Sequence, residues 1–449
     1  MNPTDPPKTK MSKVLMTSAI ASSIGSFLFG FDTAVISGAN ASIQDVFSLD
    51  ESQLGYTAAS ALVGALVGAA LIGKPCEKYG RIKVLFLLAA LYLVSALGCA
   101  FNWDIWSLVS FRFIGGLAVG GASVVSPMYI TEITPPRQRG VLVAVSQLNI
   151  VLGILAAYVS NYVIISIMGS ATDGVAWRWM FGMEALPAAL FLFSAFIIPE
   201  SPRWLAHKKR HDEARKTLLK LGYQDPDKEL RTIEESFASN QGRKESLLQK
   251  RYMKPLLLVC MLAVFNQLDG INVVLYYAPK IFELAGFSTE DAFKQSMTLG
   301  LVNLIFTLVG MALIDRIGRK LLLLVGSVTF IASHALAAWV FLSGDTSWLA
   351  VLAAGGVAAS HAYSQGAVIW VCINELLPNA VRAVGSATAC FVLWFMCILV
   401  STAFPPLIAM FNGYVFVFFA AMMMLQFILI WIFLPETKRK SLEQIEADM

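Results

Sequence analysis

The chain reads as an all-α polytopic membrane protein, with twelve transmembrane helices in two pseudo-symmetric six-helix halves. Three observations predict this. Of 449 residues, 57% are hydrophobic and only 14% charged, where a soluble domain carries roughly 25% charged residues. About 20 apolar residues cross the hydrocarbon core as a helix, and twelve such runs can be marked. Finally, three charged motifs occur twice in the same order, once in each half.

The first six runs cover 14–38, 54–73, 84–101, 106–130, 141–165 and 177–198. The first ends in FGFDTAVISG, with Asp32 inside the apolar stretch. The second is followed by Tyr79-Gly80-Arg81. The fourth carries Arg112 and the stripe Gly116-Leu-Ala-Val-Gly120, a small-xxx-small helix contact. Glu132 and Arg139 bracket the loop that follows it. Gln147 lies in the fifth run and Glu184 in the sixth, which closes with PESPR. These runs form an N-terminal bundle over 14–198, behind a polar tail of residues 1–13. Segment 199–253 mixes charge with a leucine stripe. It reads as a cytoplasmic linker of short amphipathic helices, with Ser201 as a cap and Pro202 in the first turn.

The second bundle, 254–434, repeats the plan with runs 254–278, 295–314, 321–343, 348–373, 383–410 and 414–434. Ile317-Gly318-Arg319 answers Tyr79-Gly80-Arg81, Glu375 and Arg382 answer Glu132 and Arg139, and PETKR answers PESPR before the tail 435–449. Two six-helix halves related by a repeat are the build of a transporter that rocks around a midplane site.

Basic residues set the orientation. Of 34 Lys and Arg residues, only Arg178, Lys280 and Lys294 fall outside the side that holds both termini, and Arg112 lies within a span. The positive-inside rule then puts both termini and the 199–253 loop in the cytoplasm of a multi-pass cell-membrane protein. The net charge of +4 reflects this topology and gives no reason to expect nucleic acid. Six cysteines lie in or beside spans without CxxC spacing, so neither a disulfide nor a metal site is expected. Gly68 to Lys74 imitates a phosphate-binding loop, but Pro75 stands where Ser or Thr should ligate magnesium. Asn40-Ala41-Ser42 matches a glycosylation triplet on an outer loop, a pattern common by chance.

An ionised group inside a bilayer is costly and marks function. Counted at 1.5 Å per residue, Asp32 and Arg112 lie roughly 9 Å below the outer boundary and Glu184 roughly 10 Å. Three ionisable groups at one depth form a charge cluster. It is either a static pair that fixes packing or a switchable proton carrier, since an opposite charge favours the carboxylate while desolvation opposes it. The second half offers amides instead: Asn266, Gln267 and Asn272 in FNQLDGINVVLYY, and Asn303, beside Gln147 from the first half. Amides supply donors and acceptors without net charge, which suits a neutral polyhydroxylated solute. Trp370 and Trp394 lie deep in their runs, away from the interfacial belt, where aromatic faces can cover a sugar ring. Helix–helix hydrogen bonding is the plainer use of the same residues.

Together GFDTAVISG, RFIGGLAVGG, PMYITEITPPRQRG, PESPRWL, NQLDGINVVLYYAP, DRIGRK, NELLPNAVR and LPETK resemble the sugar porter family of the major facilitator superfamily, over about residues 14–445. The proton symporters for xylose and hexoses are the most similar branch. The resemblance implies a major facilitator fold and alternating-access import of a monosaccharide, pentose or hexose, with a proton. It implies no cofactor beyond that coupling ion and a monomer as the functional unit. It gives Asp32, Arg112 and Glu184 to proton coupling. It gives Gln147, Asn266, Gln267, Asn272, Tyr276, Asn303, Trp370 and Trp394 to the sugar. Arg81, Glu132, Arg139, Glu200, Arg319, Glu375, Arg382 and Glu436 match a cytoplasmic network that latches the outward-facing state. The chain departs from the pattern at Asn266, in place of the first glutamine of a Gln-Gln pair, and at Leu393 and Glu77. Asp269 stands where Thr or Ser is expected. A facilitative uniporter of the same fold and a transporter-like sugar sensor are the rival readings; no nucleophile or metal constellation suggests an enzyme.

Overall fold

A computed structural model describes residues 12–135, 138–168, 174–240, 249–344, 348–378 and 381–438, and every regular element among them is helical. The first half holds α1 (Lys13–Val46), α2 (Glu51–Leu71), α3 (Arg81–Ala100), α4 (Ile105–Ile133), α5 (Arg139–Met168) and α6, which is split into Ala176–Met183 and Ala185–Ser194. The second holds α7 in three pieces (Lys250–Leu268, Ile271–Tyr276 and Ala278–Leu284), α8 (Thr289–Ile317) and α9 (Arg319–Ser343). There follow α10 (Leu349–Ser360, a π-turn His361–Gln365, then Gly366–Leu376), α11 (Arg382–Phe411) and α12 (Tyr414–Phe433).

Among the described residues ten helices are long and apolar enough to cross a membrane. The two other expected spans, 177–198 and 348–373, are present as interrupted helices. In α6 the cause is Pro187, which has no N–H to give the carbonyl of Met183 and so starts a fresh helix at Ala185. In α10 one turn widens to a π-helix, a feature that often marks a working site.

The sequence duplication recurs in the packing. In the first half α1 packs on α5, α2 on α4, and α3 on both α4 and α6; in the second α7 packs on α11, α8 on α10, and α9 on both α10 and α12. The halves meet through α2 against α11 and α5 against α8. The Gly116–Gly120 stripe faces α2 as expected. A Cβ on Gly120 would sit 1.9 Å from the carbonyl oxygen of Ala65, so only glycine admits that crossing. Under the bundle, Pro202–His207, His211–Leu221 and Pro226–Asn240 form the expected short helices. Trp204 donates from Nε1 to the Glu77 carbonyl at 3.0 Å, tying them to the first half.

Two expectations about α1 are corrected. Apolar length ends this run at residue 38, yet the helix continues to Val46. Asn40 and Ser42 are polar but buried, because the bundle rather than lipid surrounds them there. The triplet at Asn40 is therefore inside the protein and not on an outer loop. The extension also puts Asp32 nearer the middle of its helix than the depth count implied.

Candidate functional site

Asp32 on α1 and Arg112 on α4 are both buried, and the Arg112 Nη1 donates to Asp32 Oδ1. The guanidinium lies over the Phe181 ring, 5.4 Å from its centroid. Its Nε and Nη2 have no hydrogen-bond partner. The pair is thus enclosed but incompletely satisfied, and an ion pair in such a place is held only marginally against desolvation. Glu184, buried at the break in α6, interacts electrostatically with both partners. Tyr92 of α3 stands within electrostatic reach of Glu184 and Asp32. Of the three charges expected together, Asp32 and Arg112 are in contact and Glu184 lies within electrostatic reach of both.

The amides gather at the first break in α7. Gln267 donates to Asn266 Oδ1 at 2.8 Å, and Asn272 donates to Gln267 Oε1 at 2.5 Å, across Asp269 and Gly270. Asn272 also reaches the Sγ of Cys397 on α11, at 3.3 Å. Gly270 makes this break: its φ of +77° is a left-handed turn that side chains disfavour. Four further expected residues come from other helices. Trp394 of α11 is buried against Phe29 of α1, with ring centroids 5.7 Å apart. Asn303 of α8 is buried and Gln147 of α5 half-buried. Trp370 of α10 is 42% exposed.

Tyr276 joins the two clusters. It is buried and lies within electrostatic reach of Asp32, Arg112 and Cys397. The piece of α7 that carries it is also pinned to the first half through its backbone. Asn40 donates to the Tyr276 carbonyl at 2.8 Å, and Tyr158 of α5 donates to that of Leu275 at 2.9 Å. Farther from the termini, Lys280 bridges to Glu51 at 2.7 Å and contacts Gln44. Sequence reasoning missed Asn40, Tyr158 and Lys280, because their partners are carbonyls or lie on another helix, which no spacing reveals.

At the end of the bundle near the termini, the expected charged motifs form the same constellation twice. Arg81 grips Glu132 with two bonds of 2.7 and 2.8 Å, and Arg319 meets Glu375 at 3.1 Å. Glu200 accepts from the backbone N–H groups of Arg81, Ile82 and Ser201, and Glu436 from those of Arg319, Lys320 and Lys438. Each glutamate caps the helix that begins at the arginine, where the dipole favours an anion. Burial raises the Glu200 carboxyl above its ordinary value, although those backbone bonds and Arg81 pull the other way. Arg382 donates to the Leu377 carbonyl; the side chain of Arg139 lies outside the described residues. Both arginine–glutamate pairs stay inside their own half.

The fold and this buried, duplicated arrangement define a membrane transporter with the twelve-helix major facilitator fold. Residues 18–449 match the family described as sugar (and other) transporter, and the chain belongs to that family. It is 35% identical to the D-xylose-proton symporter of Escherichia coli (strain K12), over 97% of this chain and 96% of that protein. It is 37% identical to the arabinose-proton symporter of Bacillus subtilis (strain 168), over 97% and 95% respectively. Among solved structures, the inward open conformation of the xylose transporter XylE from E. coli superposes with a TM-score of 0.85 at 32% identity, covering 96% of this chain and 99% of that one.

Proposed function

We propose that this chain imports a monosaccharide together with a proton by alternating access. Asp32 is the proton carrier, Arg112 its counter-charge, and Glu184 the group that tunes their exchange. The row Asn266, Gln267 and Asn272, with Tyr276, Trp394, Gln147, Asn303 and Trp370, binds the sugar. Domain limits of 14–198 and 254–434, with the 199–253 linker, follow the repeat. Both termini face the cytoplasm of the cell membrane, and a single chain is the working unit.

The observation that carries this reading is Tyr276. It is buried on the helix of the amide row, within electrostatic reach of the Asp32–Arg112 pair, and its carbonyl accepts from Asn40 on the helix that carries Asp32. Protonation of Asp32 frees Arg112; sugar drawing on α7 moves Tyr276; each event is therefore felt at the other site. A ligand shifts such an equilibrium only through different affinities for the two states. Here the halves are joined at the end remote from the termini, and the charged pairs near the termini are confined within each half. That pattern supports an inward-facing state, the one named for the similar XylE structure. The cytoplasmic residues from Arg81 to Glu436 then latch the opposite state when the halves close.

Uptake of labelled D-xylose, L-arabinose and D-glucose into proteoliposomes, with and without an inward proton gradient, tests the proposal. Accumulation of one sugar above equilibrium, driven by the gradient, is the expected result. Equilibration that ignores the gradient would leave a uniporter.

A further inference from the structure

The buried polar groups that neither the coupling pair nor the amide row uses converge on the same break in α7. Asp269 is fully enclosed. Its Oδ1 accepts from the Ile271 N–H at 2.9 Å, and its Oδ2 lies 2.7 Å from Nδ1 of His361, in the π-turn of α10. Its main-chain carbonyl lies 2.8 Å from Nε2 of His334 on α9. Three helices therefore meet at one residue.

The chemistry of each ring follows from its partner. A carboxylate only accepts, so Nδ1 of His361 carries the hydrogen and Nε2 is left as the position that can gain one. The His361 side chain is 18% exposed, so a proton can reach it. His334 differs: it is wholly buried beside Phe330, Phe416 and Phe419, and Nε2 donates to a carbonyl, which suits a neutral ring. Asp269 is placed to matter for binding. Gln267 precedes it by two residues, Asn272 follows by three, and their mutual bond spans the turn it holds. The groups facing this spot from packed elements are His334 of α9, His361 of α10, the Cys397 thiol of α11 beside Asn272, and the phenyl rings of Phe416 and Phe419 from α12.

We propose that Asp269 and His361 form a second proton-binding dyad, and that its charge state sets the sugar affinity of the amide row independently of Asp32. The affinity limb rests on the sugar-site reading given above. When His361 takes a proton from water at Nε2, the imidazolium neutralises Asp269 and ties α10 to the break in α7. When that proton returns to water, Asp269 keeps an uncompensated enclosed charge and its grip on the turn weakens. Sugar then binds more tightly at low pH than at high pH, even without Asp32. Asp269 and His361 act here as positioning residues for the amides.

The full-length chain in nanodiscs, labelled with ¹⁵N-histidine, tests the dyad without any sugar. Only four histidines are present, and His361→Gln assigns the signal. The expected result is a His361 signal that moves with pH, across the range in which the chain stays folded, as Nε2 gains its proton, and a different pH response in Asp269→Asn, where the counter-charge is gone. A His361 signal that stays in one form across that range would overturn the dyad. For the affinity limb, binding of D-xylose and D-glucose is followed against pH in Asp32→Asn, with and without His361→Gln. Glutamine keeps a donor to Asp269 but cannot titrate, so the fold is spared. Weaker binding at high pH that flattens with His361→Gln is expected; identical pH profiles would overturn this limb. Absence of saturable binding to the wild-type chain would instead count against the sugar site, while the histidine titration still decides the dyad.

Discussion

Arg112 shows what is at stake for a single residue. Two of its three guanidinium nitrogens lack partners in a buried place, so its hold on Asp32 is a balance of opposing costs. Glu184→Gln keeps the shape of the third member and removes its charge. We expect sugar exchange to persist and the pH optimum of uptake to shift, measured as initial rate against pH. Asn272→Ala removes the link between Gln267 and Cys397 and a donor in the binding row. One lost hydrogen bond to a buried polar group is worth about 1–3 kcal/mol, so sugar affinity should fall by about 5- to 150-fold in equilibrium binding. Glu200 predicts a pH effect with a definite sign. Burial raises its carboxyl above the ordinary 4.5, so its stabilising contribution is complete below that pH and is lost as pH rises through the raised value. Glu200→Gln should flatten that part of the dependence of thermal stability on pH. At this scale the sequence was readable wherever charge interrupted an apolar run, as at Asp32, Arg112 and Glu184. It was silent where a side chain meets a backbone carbonyl, as Asn40 does with Tyr276. The two membrane histidines carried a signal that composition alone does not interpret, because the meaning of His361 depends on Asp269, far away in the chain.

Among elements, the breaks matter more than the spans. Apolar length located the helices, but hydropathy carries no information about φ or about a missing N–H. The split in α6 depends on Pro187, three residues beyond Glu184, and the split in α7 on the turn at Gly270. Both interruptions fall beside residues proposed here for coupling or sugar binding, Glu184 at one and the amide row at the other. The π-turn in α10 left no mark in the pattern of apolar residues. The close crossing of α2 and α4 was visible as the glycine stripe, and it makes a firm prediction. In Gly120→Val the new side chain would meet the Ala65 carbonyl at a distance that no side-chain rotation relieves. The yield of folded, monodisperse protein in detergent should drop sharply, while substitution at the exposed Ile20 of α1 leaves it unchanged.

For the whole molecule, the central feature is two repeats that share one packing plan and join at one end in this state. The repeat was legible from eight charged residues, four in each half, because a salt-bridge motif at a helix start survives duplication in recognisable form. The state was not, since the ties that define it, Lys280 to Glu51 and Asn40 and Tyr158 to α7, bring together residues remote in sequence. Glu51→Gln should shift the population toward opening on that side. A half-exposed ion pair contributes about 0–1 kcal/mol, so the shift should be up to about fivefold, read from spin-label distances between α1 and α7. The coupling itself has a thermodynamic ceiling. A gradient equivalent to 100 mV supplies about 2.3 kcal/mol per charge, which for one proton per sugar sustains about 50-fold accumulation. The most direct test is therefore gradient-driven accumulation in proteoliposomes that carry Asp32→Asn beside the wild-type chain. Asparagine imitates the protonated acid, so the variant should still exchange sugar across the membrane while its accumulation falls to the level of simple equilibration. Accumulation that survives in the variant would contradict Asp32 as the proton carrier.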